Sequence, residues 1–283
     1  MKIKDFETTY KPTWCPGCGN YGVWQGLKTA LVNLNLNPDE VVIVYGIGCS
    51  GNMNDFVKTY GFHSLHGRAI PNACGIKIAN HKLTVICIVG DGDCYGEGGN
   101  HLLHAVRGNH DIKVFVHDNR IYGLTTGQTS PTSPHGFKSK STPKGVIETP
   151  LNPLTLAISQ GASFVAQGFA GDSSHLTNLM TKAIKHKGFS LLNILQPCVT
   201  FNKVCNYKFY QDRVYKLEEE NWSTNDKFAA FKKASFNDNK IPLGVFYQEK
   251  RPAYHQGIIQ LEKKPLVEQK LKTDVNSLFK KFI

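Results

Sequence analysis

Two apolar, β-branched runs constrain this chain more than any other feature. Val85-Ile86-Cys87-Ile88-Val89 leads into Gly90-Asp91-Gly92-Asp93, and Val114-Phe115-Val116-His117 leads into Asp118-Asn119-Arg120-Ile121-Tyr122-Gly123. Such runs read as fully buried strands of a parallel sheet. Between them, Tyr95 to Arg107 carries helical spacing through Leu102, Leu103 and Val106. The unit is strand, turn, helix, strand, turn, right-handed by default. Both turns then lie at carboxyl ends of parallel strands, where open α/β sheets bind ligands. Asp91 and Asn119 offer two oxygen ligands, and the glycines let backbone approach a phosphate. Hard oxygens beside bare backbone suit Mg²⁺ holding a diphosphate.

The same pattern recurs along the chain. Val41 to Tyr45 reads as a buried strand ending in Gly46-Ile47-Gly48-Cys49-Ser50-Gly51, and Phe189 to Leu195 as another ending in Gln196-Pro197-Cys198. Helices are expected from Asn20 to about Leu34, from Phe62 to about Asn80, over Pro153–Gln160 and over Ser173–Lys187, with a strand over Ser163–Gly168. His66 and Arg68 stand beside the start of the second helix, a ready anion site. Gly123 to Asn152 is a long Gly, Ser, Thr and Pro-rich loop, read as a lid or substrate loop because it starts at the cofactor edge. From about residue 203 the apolar strands give way to mixed aromatic and charged sequence, with a short helix near Asp226 to Lys233 and an edge strand at Leu243 to Tyr247. The expected organisation is an α/β domain over 1–202 and an extension over 203–283 that packs on the core or a partner.

Hydrophobic residues make up 41% of the 283, enough for a real core. No apolar run reaches the roughly 20 residues of a membrane span, and the first residues form no secretory signal. A cytoplasmic protein is expected. Its net charge of +11 is spread over the Lys138–Lys144 loop and the tail, including Lys280-Lys281. No nucleic-acid-binding motif accompanies it. An acidic electron-carrier protein fits the charge as well.

Eight cysteines in such a chain point away from disulfides. Cys15-Pro16-Gly17-Cys18 admits three readings. A thioredoxin-like pair would follow an apolar strand, and none precedes it. A zinc knuckle would need a second close pair. An iron–sulfur cluster takes thiolates from remote loops, and Cys49 and Cys198 sit in turns at the same sheet edge as the expected Mg²⁺ ligands.

The spacing from Gly90-Asp91-Gly92 to Asn119 resembles the thiamine-diphosphate motif, although Asp118-Asn119 stands where that family often has Asn-Asn. The resemblance implies that Asp91 and Asn119 hold Mg²⁺ by side chains and Ile121 by its carbonyl. Trp14-Cys15-Pro16-Gly17-Cys18-Gly19-Asn20, Gly46 to Ser50, His63 to Ala69, Gly90 to Asp93, Asn119 to Gln128 and Gln196 to Asn202 together resemble the β subunit of a 2-oxoacid:ferredoxin oxidoreductase, from about Tyr10 to Phe201. That implies a thiamine-diphosphate-binding fold, a mostly parallel sheet with helices on both faces. It implies a [4Fe–4S] cluster on Cys15, Cys18, Cys49 and Cys198, with Cys74, Cys87, Cys94 and Cys205 left as structural. Ile47, Gly48, Cys49 and Ser50 would contact thiamine diphosphate, and His66 would lie by its diphosphate or thiazolium. Gly90, Gly92, Asp93, Gly123 and Leu124 would complete the cradle, and His66, Leu124 and Thr126 take the catalytic positions. The implied activity oxidatively decarboxylates a 2-oxo acid to acyl-coenzyme A and CO₂, passing electrons to ferredoxin. An α subunit, in a heterodimer or heterotetramer, would supply the activating acid and much of the coenzyme A site. Thr126 stands where some relatives carry Lys. Ser130 to Pro134 resembles 2-oxoglutarate enzymes, which favours that substrate over pyruvate or a broad range. His135, Lys138, Lys140 and Lys144 are candidates to pair with a second carboxylate. The readings from other classes are a non-oxidative thiamine-diphosphate lyase and a basic, non-enzymatic binding module.

Overall fold

The protein is described by a computed structural model covering residues 1–235, 239–270, 274–280 and 282. Lys281 of the basic tail lies outside them.

After α1 (Asn20–Asn33), the chain forms β1 (Val41–Tyr45) and β2 (Tyr60–His63). Then come α2 (Ala69–Ala79), β3 (Thr84–Gly90), α3 (Gly99–Gly108) and β4 (Lys113–Asp118). The small hairpin β5 (Ile121–Tyr122) and β6 (Gln128–Thr129) opens the long loop. Next are α4 (Pro153–Ser159), β7 (Phe164–Phe169), α5 (Ser173–Lys185) and β8 (Ser190–Leu195). Finally α6 (Tyr207–Gln211), β9 (Val214–Lys216), α7 (Lys227–Ser235) and β10 (Ile241–Gln248) follow. Eight strands make one sheet in the order β2-β1-β3-β4-β8-β7-β10-β9. The neighbours from β2 to β7 are parallel, and β10 runs antiparallel to β7.

Strand alternation feeds two cores. Val42 and Val44 of β1 face one, packed with Ile70 of α2, Leu102 of α3, Leu154 of α4 and Ala230 of α7. Val41, Ile43 and Tyr45 face the other, with Leu27 of α1 and Leu176 of α5. Helices therefore cover both faces, as the continuous apolar runs require.

Three expectations are corrected. Phe62 begins no helix: Tyr60–His63 pairs in parallel with β1, and α2 starts only at Ala69. Gly67 breaks any earlier turn, with φ +66° and the Glu97 backbone where a side chain would go. The helix expected from Tyr95 starts at Gly99, preceded by a π-type turn over Gly92–Glu97 of the kind found at functional sites. The strand around Leu243 is no edge: β10 lies between β7 and β9 inside the sheet.

Candidate cofactor site

The turns after β1, β3 and β4 enclose a narrow cleft at the carboxyl edge of the sheet, where open α/β sheets bind ligands. Of the residues singled out from sequence, Ile47, Gly48, Cys49, Ser50, His66, Gly90, Asp91, Gly92, Asp93, Asn119, Ile121, Gly123 and Leu124 line it. Thr126 does not; its neighbour Thr125 does, and Thr126 takes the left-handed φ of +76°. Lys138, Lys140 and Lys144 are exposed outside the cleft, and His135 lines a separate cavity. Among the described residues no Lys or Arg lines the cleft.

The oxygen corner is the most buried part. Asp91 and Asp118 are 1% and 3% exposed. Thr132 Oγ1 lies within hydrogen-bond distance of both, 2.7 Å from Asp91 Oδ2 and 2.9 Å from Asp118 Oδ1, with one proton to share between them, and Ser130 Oγ donates to Asp91 Oδ2 at 2.6 Å. Burial, and then the Asp118 charge, push the Asp91 carboxyl up to about 7 despite these donors. Two neighbouring buried carboxylates call for a cation, and a hard divalent ion fits an oxygen-only set. Arg120 takes φ +62°, and beyond it the Ile121 amide donates to Asn119 Oδ1 at 2.9 Å. The turn thus presents Asn119 and Ile121 on the cleft wall beside Asp91. The long loop, expected as a lid, acts here as a brace. Ser130, Thr132 and Ser133 are buried beneath the carboxylates, and Phe137 and Val146 pack on Ile121.

Beside it, Gly48 takes φ +115° and leaves open space where a side chain would project. Ser50 Oγ is buried without a partner, which fits a donor waiting for a diphosphate oxygen. Burial pushes the Asp93 carboxyl up, against the Gly67 and Ile47 N–H groups that hold it down. Its Oδ1 accepts from Gly67 N at 2.8 Å and faces His66 Nδ1 at 3.5 Å. Asp93 therefore ties the turn after β3 to the His66 loop.

The sulfur corner adjoins the cleft. Carbon placed at the Cβ position of Gly123 would lie 3.7 Å from Cys49 Sγ, 3.8 Å from Cys198 Sγ and 3.7 Å from Asn119 Nδ2. Burial, with smaller contributions from the charges of Cys198, Cys49 and Cys15, pushes the Cys18 thiol up to about 11 against the Asn20 N–H that holds it down. Cys49 is likewise raised to about 11, by burial and then by Cys198 and Cys15. Cys49 and Cys198 thus meet beside Gly123, and holding such buried sulfurs as thiolates needs a positive centre. Among the described residues the group of three or more ligand atoms within 4.8 Å is His66, Asp93 and Glu97, so no three sulfurs stand that close. A zinc ion would gather its sulfurs to about 3.8 Å from one another, given tetrahedral bonds of about 2.3 Å. Trp14 Nε1 donates to Cys49 O at 2.7 Å and fixes that turn. Cys87, Cys94 and Cys205 are buried and Cys74 half-buried, away from this set.

Besides Thr125, two cleft residues escaped the sequence reading. His117 lines the cleft with Nδ1 2.7 Å from Asn20 Oδ1 and Nε2 buried without a partner. Burial pushes its pKa down to about 3, so it is neutral at physiological pH. A histidine within an apolar strand gives no sequence signal of its own. Tyr122 donates to Glu97 Oε1 at 3.0 Å across the cleft mouth; its place follows from the turn, which sequence did show.

Comparison with known proteins gives concordant findings. The family described as "Thiamine pyrophosphate enzyme, C-terminal TPP binding domain" matches residues 46–194, and the family of the C-terminal part of the pyruvate ferredoxin oxidoreductase beta subunit matches residues 198–263. The chain is 42% identical to the 2-oxoacid:ferredoxin oxidoreductase subunit beta of Saccharolobus solfataricus, over 94% of this chain and 95% of that protein. It is 44% identical to the 2-oxoglutarate oxidoreductase subunit KorB of Mycobacterium tuberculosis, over 71% of this chain and 54% of that one. A solved chain of 2-oxoglutarate:ferredoxin oxidoreductase from Magnetococcus marinus, with 2-oxoglutarate, coenzyme A and succinyl-CoA bound, superposes with a TM-score of 0.92 at 37% identity, covering 99% of this chain and 95% of that one.

Proposed function

The chain belongs to the 2-oxoacid:ferredoxin oxidoreductase β subunits, and on that premise we propose that it works with an α subunit to decarboxylate 2-oxoglutarate oxidatively. One 2-oxo acid, one coenzyme A and two oxidised ferredoxins give the acyl-coenzyme A, CO₂, two reduced ferredoxins and a proton. Family membership sets aside the non-oxidative lyase and the basic binding module. The observation that supports the finer reading is the meeting of Cys49, Cys198 and Asn119 around Gly123, where a sulfur-ligated centre would stand next to an oxygen-ligated one.

Cys15, Cys18, Cys49 and Cys198 would hold a [4Fe–4S] cluster, and Asp91, Asn119 and the Ile121 carbonyl would hold Mg²⁺ on thiamine diphosphate. When bound, thiamine diphosphate supplies the electron sink for decarboxylation and the cluster takes electrons one at a time. The chain's own residues supply position and charge. Ser130 and Thr132 orient Asp91. Ser50 and the turn after Gly48 receive the diphosphate, while Asp93 fixes the loop that presents His66. Leu124 and Ile47 give apolar walls. β9 and β10, from the extension beyond residue 203, complete the sheet.

The substrate assignment rests on the KorB relatives and the 2-oxoglutarate-bound neighbour. A pyruvate reading is favoured by the C-terminal family and by the lack of a Lys or Arg in the cleft among the described residues. For 2-oxoglutarate, the partner subunit must hold the second carboxylate. Anaerobic co-expression with the α subunit tests both readings. We expect iron and acid-labile sulfide, a reduced-cluster spin-resonance signal, and higher kcat/KM for 2-oxoglutarate than for pyruvate. A preference for pyruvate overturns the substrate, and robust turnover by this chain alone overturns the division of labour.

A further inference from the structure

We infer that Gln196 is a positioning residue that raises the reduction potential of the proposed cluster by donating its side-chain amide to the Cys18 sulfur, an inference that rests on the four-cysteine reading. Gln196 is 1% exposed. Its Nε2 donates to Cys18 Sγ at 3.3 Å and to Pro197 O at 3.1 Å. A ligating sulfur and a carbonyl oxygen are both acceptors, so the amide face is fixed; reversed, its oxygen would meet both. Gln196 Oε1 is buried and has no partner, so satisfying its own oxygen is not what holds the side chain there.

The sequence around the pair is built to admit it. A side chain at Gly19 would come within 2.9 Å of both Gln196 Cγ and Nε2, so the glycine after Cys18 leaves room for the amide. Gly19 N donates to Pro197 O at 3.1 Å, tying the Cys15–Cys18 loop to the turn bearing Cys198. Cys18 is the one buried thiol of the four, so its sulfur receives least help from water. An N–H donor is worth most at such a sulfur. It stabilises the reduced cluster, which carries one more negative charge, over the oxidised one and so raises the potential.

The test is a redox titration of the αβ complex followed by spin resonance, with Gln196→Met and Gln196→Glu beside the wild type. Both variants keep the side-chain length; Met removes the donor outright, and Glu removes it where its carboxyl is ionised, so the titration is run at alkaline pH. We expect both midpoints to move to more negative potential at unchanged iron content. Equal midpoints at full iron overturn the inference and leave the ligand assignment standing. No cluster signal from the wild type overturns the ligand assignment and the inference with it. If the variants fail to take up iron, pulsed spin resonance on wild type carrying ¹⁵N in its glutamine side chains decides. Among the described residues Gln196 is the glutamine bonded to a cysteine sulfur. A ¹⁵N coupling to the reduced cluster supports the inference, and no coupling overturns it.

Discussion

The two ends of the parallel sheet bury charge to the same depth and treat it in opposite ways. At the amino-terminal end Asp111, Lys77 and Lys113 are 7%, 6% and 3% exposed. Asp111 pairs with Lys77 at 2.9 Å and Lys113 at 2.6 Å, and Lys113 also donates to the Gly188 carbonyl at 2.9 Å. Burial pushes the Asp111 carboxyl up, yet the two lysines hold it far below the usual carboxylate range. At the carboxyl-terminal end Asp91 has neutral hydroxyls and another carboxylate for neighbours and is pushed up to about 7. Ser50 Oγ and His117 Nε2 are left without partners there. One end pairs its charges within the fold, although burial still pushes the Lys113 ammonium down to about 8. The other buries polar groups without partners, an arrangement that costs stability and is typical of functional sites.

The largest expected effect is at the closed end. Asp111→Ala leaves two buried ammonium groups without their shared carboxylate and should cost about 3–5 kcal/mol, read by urea denaturation. Asp91→Asn should do the reverse. The cofactor-free chain at pH 8 keeps or gains stability, because a strained buried charge is gone. Mg²⁺-dependent thiamine-diphosphate affinity falls by more than the roughly 10–100-fold typical of losing an outer-shell partner. Equal destabilisation by the two substitutions would dissolve the contrast. Thr132→Val, which removes the hydroxyl shared by Asp91 and Asp118, should weaken the same affinity by roughly 10–100-fold while iron content stays the same.

The smallest effect is a pH dependence at the closed end. Burial, and then the Lys113 charge, push His186 down to about 4 from an ordinary 6.5. Its ring Nε2 lies 2.9 Å from Ser163 Oγ. A depressed folded pKa means the unfolded chain binds more protons between those values. The stability His186 contributes is therefore complete above pH 6.5 and is lost as pH falls toward 4. His186→Gln should flatten that part of the acid limb, and an identical limb in the variant would place the titrating group elsewhere.

How far the sequence reached can be traced residue by residue. Asp91, Asn119 and the turns after β1 and β8 were legible because a parallel strand's carboxyl end is local and its ligands follow within a few residues. Ser130 and Thr132 were read as a substrate signature, yet they hydrogen-bond Asp91 from 39 and 41 residues away. No local pattern carries that. β2 was missed because all four residues are exposed, so no alternation marks the strand, and only pairing with β1 makes it one. β10 was taken for an edge strand, a fair reading of Pro242 and Gly244. A register shift between Val245 and Tyr247 and the left-handed Gly244 let it sit inside the sheet.

The sequence by itself determined the α/β class, the placing of Asp91 and Asn119 at strand ends and the four cysteines worth considering, because strand runs and turn chemistry act over short distances. The tertiary structure alone decided three things. It brought Cys18, Cys49 and Cys198 to one corner, placed Gln196 against Cys18, and paired Asp111 while leaving Asp91 unpaired. Each depends on which strands become neighbours, and burial then sets how strongly their charges act on one another.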